Sequence, residues 1–143
     1  MYCNEAAISE TSVSGNSVTV TNVDEPAAAG GLALYSTPTT LESVTVSGNN
    51  ATQSGSASTQ SDSYAGGIAV WFDDVSMVNV TVADNIASGK NNAYGGGIYF
   101  FHTATGVSHS TIVGNEATGA EKSYGGGVYE DCLLYTSDAA DES

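Results

Sequence analysis

The side chains with the most chemistry in this sequence are a handful of carboxylates, two histidines and a set of tyrosines. Asp73 and Asp74 stand together in "WFDDV", and Asp84 precedes Asn85. Two carboxylates can flank a glycosidic bond as acid and as base or nucleophile. A calcium ion would instead need roughly six to eight convergent oxygens. Neighbouring residues of a strand point to opposite faces, so Asp73 and Asp74 converge only if a turn separates them. A solvated turn after the apolar "AVWF" is the simpler expectation. His102 and His109 have no Cys or carboxylate neighbours at zinc-ligand spacing. The pattern GGxGxD of calcium-binding nonapeptides is absent. No catalytic, metal-binding or cofactor-binding residue is therefore assigned, and no cofactor is expected.

The glycine clusters and tyrosines raise two further chemistries. "AYGGGIYF" has the glycines of a phosphate loop, but no Lys-Ser/Thr pair follows them. Tyr64, Tyr94 and Tyr124 precede successive glycine pairs, and Tyr99 and Tyr129 follow them. With Trp71 the latter form a candidate outward stripe. Aromatic rings stack on sugars, so Tyr99 and Tyr129 are the candidate glycan contacts. The alternative is a ladder of tyrosines that stack on one another and stabilise the chain itself.

Charge narrows the choice of partner. Sixteen acidic residues face two Lys/Arg, both lysines, for a net charge of -14 over 143 residues. Nothing here can neutralise a phosphate backbone, so nucleic acid and anionic lipid are disfavoured. No apolar run is long enough to span a membrane. The Ser, Thr, Gly, Asn, Ala and Val content suits a secreted or cell-surface β protein.

What must position these residues is a repeat. Four glycine pairs lead into apolar residues: "AGGLALY", "AGGIAVW", "GGGIYFF" and "GGGVYED". Four segments end in asparagine: "TSVSGN", "VTVSGN", "VTVADN" and "TIVGN". From Gly31 to Asn49, Gly67 to Asn85 and Gly97 to Asn115 the step is always 18 residues. From Asn16, Asn49, Asn85 and Asn115 to the next such glycine it is 15, 18, 12 and 12. A constant arc joined to a variable one is the mark of a coil with one adjustable loop, in the length range of solenoid repeats.

Inside the constant arc, Val13, Val46, Val82 and Ile112 form one column, and Ser12, Thr45, Thr81 and Thr111 form the hydroxyl column beside it. This alternation is β-branched and has period two. Ile8, Leu41, Met77 and Val107 lie across a turn, and His109 falls in the polar column of Glu10, Ser43 and Asn79. Stacked coils set like over like about 4.8 Å apart. Asn16, Asn49, Asn85 and Asn115 are expected to form a corner ladder, their amides bonding along the stack and their backbones taking the left-handed conformation. Gly31, Gly67, Gly97 and Gly127 are expected to do the same at the opposite corner. The variable arcs 17–29 and 50–63 are expected to be surface loops of flexible polar character, where recognition usually lives.

"GGGIY" alternating with "TVxxN" resembles the repeats of polymorphic outer-membrane proteins and related bacterial surface proteins. The resemblance covers residues 1–131. It implies an all-β, right-handed parallel β-helix of the pectate-lyase-like kind, of about four coils and truncated at both ends. It further implies a non-catalytic stalk or adhesin-like passenger, secreted or at the bacterial cell surface, as in autotransporters. The implied partners are an extracellular glycan, a host or cell-surface protein, and neighbouring coils of a longer chain. A fragment of a polysaccharide lyase or glycoside hydrolase is the alternative, although the chain has no arginine to serve as the lyase base. Residues 132–143, "CLLYTSDAADES", match no column and are similar to a translated sequencing adapter. They are expected to be non-biological, which leaves Cys3 without Cys132 as a partner.

Overall fold

The computed structural model describes residues 5–56 and 60–131. The expectations for Cys3 and the segment 132–143 fall outside the described residues. Among the described residues there is no helix; every regular element is a strand.

The strands come in sets of five per turn. The first turn holds β1 (Ala6–Ser9), β2 (Ser12–Ser14), β3 (Ser17–Val20), β4 (Ala27–Ala28) and β5 (Leu32–Tyr35). The second holds β6 (Thr39–Glu42), β7 (Thr45–Ser47), β8 (Asn50–Gln53), β9 (Ser63–Tyr64) and β10 (Ile68–Trp71). The third holds β11 (Asp74–Val78), β12 (Thr81–Ala83), β13 (Ile86–Gly89), β14 (Asn92–Tyr94) and β15 (Ile98–Phe101). The fourth holds β16 (Ala104–Ser108), β17 (Thr111–Val113), β18 (Glu116–Gly119), β19 (Lys122–Tyr124) and β20 (Val128–Asp131). Each strand pairs in parallel with its counterpart one turn away, giving five four-stranded sheets. The register is the one the columns require: Val46 lies between Val13 and Val82, and Val82 meets Ile112.

The interior is built by the constant arcs. Leu41, Val44, Val46, Ile68, Val70, Met77, Val80, Val82 and Ile98 are buried in one apolar cluster. Ser12, Thr45 and Thr111 are exposed, as the alternation requires. The variable arcs differ from expectation. Each opens on a strand (β3, β8, β13, β18) and closes on another (β4, β9, β14, β19). Ala27, Ala51, Ala87 and Ala93 are fully buried between them. These arcs form a second, narrower lobe whose small core residues were too weakly apolar to signal strands.

The corners also need correction. The four asparagines are not left-handed; the residue before each is, at Gly15, Gly48, Asp84 and Gly114. On the other side the left-handed residues are Ala29, Ala65, Gly95 and Gly125, ahead of the glycine pairs. The physical reason lies in what the Asn and Gly side chains must do, which is to meet one another.

Candidate functional site

At the waist between the two lobes, the start and end of each 18-residue arc touch. A Cβ on Gly31 would fall 2.9 Å from the Asn49 amide nitrogen, and one on Gly97 would fall 2.9 Å from that of Asn115. A Cβ on Gly30 would fall 2.6 Å from the backbone carbon of Asn50. The glycines are needed for close approach of backbone and amide, not for a left-handed backbone. The arc length is constant because both ends must reach this contact. Gly127, in the last turn, has its nearest such contact at 3.5 Å, with Ile112.

The asparagines then bond from turn to turn. Asn49 Nδ2 donates to Asn85 Oδ1 and to the Val13 carbonyl, each at 2.9 Å. Asn85 Nδ2 donates in the same way to Asn115 Oδ1 and to the Val46 carbonyl, each at 2.9 Å. Each Oδ1 also accepts the main-chain N–H of the asparagine one turn earlier, at 3.0 Å. Asn49 and Asn85 are buried with every side-chain donor and acceptor in use. The expected amide ladder is present, and it stands inside the waist.

The tyrosines are likewise spent on each other. Tyr64 and Tyr94 stack at 5.1 Å with planes 11° apart, and Tyr94 and Tyr124 at 4.9 Å and 5°. Tyr99 and Tyr129 stack at 5.9 Å and 8°. Tyr99 points away from the main core, as expected of the stripe, but is only 4 % exposed because Tyr64, Tyr94, Trp71 and Phe101 pack around it. It offers no free face to a sugar. Tyr129, at the last turn, is half-buried; the most exposed rings are Tyr35 and Phe72, which meet edge to face with planes 78° apart. Such crossed rings make no flat platform. Burial pushes the Tyr64 and Tyr99 hydroxyls well above their ordinary pKa, with Asp62 adding to the effect at Tyr64. Tyr94 and Tyr129 move the same way, again chiefly through burial.

The carboxylates do not converge. Asp74 opens β11 and is exposed, whereas Asp73, just before that strand, is buried rather than solvated. Its Oδ2 accepts from Thr39 Oγ1 at 3.2 Å. Its Oδ1 has no hydrogen-bond partner among the described residues. Asp84 sits at a corner with φ +55°. His109 is exposed at a corner, and His102 lies against Phe101 and Phe72. Among the described residues no three His, Cys, Asp or Glu side chains are grouped to hold a metal ion.

Sequence reasoning missed Asp62. Buried at the end of the longest variable arc, it accepts at Oδ1 from Asn91 Nδ2 and the Asn92 main-chain N–H, both at 2.9 Å. Its Oδ2 accepts from the Tyr64 hydroxyl at 3.4 Å. Asp62 thus fastens the long arc of the second turn onto the short arc of the third. The signal was the pair "NN" at 91–92, set one turn beyond an acid.

No family model, curated protein or solved structure matches the chain. The register alone decides the fold. It is a parallel β-solenoid of about four turns.

Proposed function

We propose that this solenoid is a non-catalytic structural segment, a stalk or adhesin-like passenger of a secreted or cell-surface bacterial protein. The observation that carries this reading is the Asn16–Asn49–Asn85–Asn115 ladder in the waist, with five sheets in unbroken register around it. A stack of this kind spends its polar and aromatic groups on joining turns, which gives stiffness along the axis. The resemblance of "GGGIY" and "TVxxN" to polymorphic outer-membrane repeats supports the same placement. The acidic surface suits an extracellular setting and partners that are not polyanions.

One observation favours the runner-up, a carbohydrate-active β-helix: the unpartnered Oδ1 of Asp73. Burial of that side chain counts against direct contact with substrate. The test is incubation of the full chain with a panel of neutral and acidic polysaccharides, measuring reducing ends and unsaturated sugar products. The structural reading expects no turnover above the blank. Turnover lost in Asp73→Asn would replace it with the enzyme reading.

A further inference from the structure

The corner that follows β5, β10 and β15 is turned by Ser36, Phe72 and His102, each with a left-handed backbone. Main-chain bonds hold the turn, among them the Phe72 N–H donating to the Phe101 carbonyl at 3.0 Å. The geometry asks only for a residue that tolerates this conformation, and Ser36 is enough in the first turn. Ten non-glycine residues take a positive φ among the described residues, and Phe72, at φ +53°, is the one large apolar side chain among them. A bulky residue there is an outlier. The fold gains little from it, because Phe72 is 51 % exposed. Phe72 belongs to the second turn and has the first and third turns on either side, so its exposure owes nothing to the ends of the stack. Strain kept at an exposed apolar position points to recognition rather than to packing.

Phe72 is the centre of a row of rings. Tyr35, one turn before, is 66 % exposed and meets it at 6.0 Å with planes 78° apart. Phe101, one turn after, meets it at 5.1 Å with planes 86° apart. His102 lies 5.4 Å from Phe72 and 4.1 Å from Phe101. Rings set across one another leave no flat bed for a sugar, but they form open aromatic corners. A cation needs only to come within about 6 Å of a ring centre, and in such a corner it reaches two rings at once.

Charge selects the same occupant. The chain carries a net charge of -14. Both lysines belong to the narrow lobe, Lys122 in β19 and Lys90 between β13 and β14, so neither occupies these rings. Asp74, two residues past Phe72, is exposed. Asp73, between them, keeps a buried Oδ1 without a hydrogen-bond partner. Ring faces beside uncompensated carboxylates favour a positive group. A guanidinium fits best, since it adds stacking to charge.

We infer that the row Tyr35, Phe72, Phe101 and His102 is a docking surface for a protein segment that presents arginine or lysine side chains. The inference goes beyond the stalk reading and does not rest on it. Titration of the full chain with a short oligoarginine peptide tests it, at about 150 mM salt. The fluorescence of Trp71, the single tryptophan and the neighbour of Phe72, is the readout, and circular dichroism confirms folding. Wild type is expected to bind. Phe72→Asn and Tyr35→Ser, which leave the net charge unchanged, each weaken binding about 3-fold, and together roughly 10-fold. Val113→Ser, at an exposed apolar residue of another sheet, leaves the affinity as it was. Folded Phe72→Asn and Tyr35→Ser that both bind like wild type would show attraction by net charge alone and overturn the inference. No binding by wild type overturns it too. So does a neutral peptide of Leu and Gln that binds as tightly as oligoarginine and loses affinity in the same variants, since the row would then serve an apolar partner.

Discussion

Asn49 joins three turns through one amide: Nδ2 reaches Asn85 Oδ1 ahead and the Val13 carbonyl behind, each at 2.9 Å. Its own Oδ1 takes the main-chain N–H and the Nδ2 of Asn16, each at 3.0 Å. Buried asparagine is ordinarily a liability. Here the ladder makes it self-sufficient, because what one turn offers the next turn needs.

That relationship predicts a position-dependent cost. Asn85→Ala leaves the Asn49 N–H and one Asn49 Nδ2 hydrogen unpaired in the waist. Each such group costs about 1–3 kcal/mol, so urea unfolding should show a loss of about 3 kcal/mol or more. Asn16→Ala, at the exposed end, should lose about 1 kcal/mol. Equal losses at the two positions would mean that the ladder is not what joins the turns.

Glycine substitutions separate close approach from backbone freedom. A Cβ on Gly67 would fall 2.5 Å from the Gly97 carbonyl oxygen and 3.0 Å from Asn85 Nδ2. Neither neighbour can retreat without breaking the ladder, so Gly67→Ala should lower stability by about 3 kcal/mol or prevent folding. Gly106, in β16, has nothing within 4 Å of its Cβ position. Gly106→Ala should be neutral or raise stability by about 0.5 kcal/mol. Thermal unfolding of the two variants side by side is sufficient.

Asp84 tests the corner. It is the one non-glycine in a left-handed column otherwise made of Gly15, Gly48 and Gly114. The left-handed conformation costs a residue with a Cβ about 1 kcal/mol. Asp84→Gly should therefore raise the unfolding midpoint. A fall instead would show that the carboxylate makes a contribution the corner geometry does not contain.

Columns were readable because stacking turns a distance in space into a distance in sequence. Val46, Val82 and Ile112 announce one another at fixed steps, so the sheet they form and its register could be stated beforehand. The waist was readable only in part. The constant step from Gly31 to Asn49 was visible, but that these two residues touch depends on the coil folding back on itself, and no local pattern encodes it. The narrow lobe was hidden for another reason: Ala51, Ala87 and Ala93 fill a space too small for branched side chains, so its strands lack the apolar signature of strands. Tyr99 was placed on the right side of its sheet. Its burial depends on Tyr64 and Tyr94 arriving from a different sheet, which a column-by-column reading does not see.

The tyrosine cluster predicts alkaline lability. Tyr64, Tyr94, Tyr99 and Tyr129 all have hydroxyls held above the ordinary value of 10.0, first by burial and then by neighbouring acids or phenols. In the unfolded chain each ionises near that ordinary value, while the folded chain keeps its protons. Above this point the unfolded state binds fewer protons than the folded state, so stability falls as pH rises. Below it both states are protonated and the contribution of these four groups is fully present. Urea midpoints measured from about pH 8 to pH 11 should be flat with respect to these tyrosines at first and then decline, with tyrosinate absorbance appearing together with unfolding. Tyr99→Phe keeps the ring stack and removes one raised hydroxyl, so its decline should be shallower than that of wild type. An unchanged slope in that variant would mean that Tyr99 ionises alike in both states and that its packing does not hold the proton.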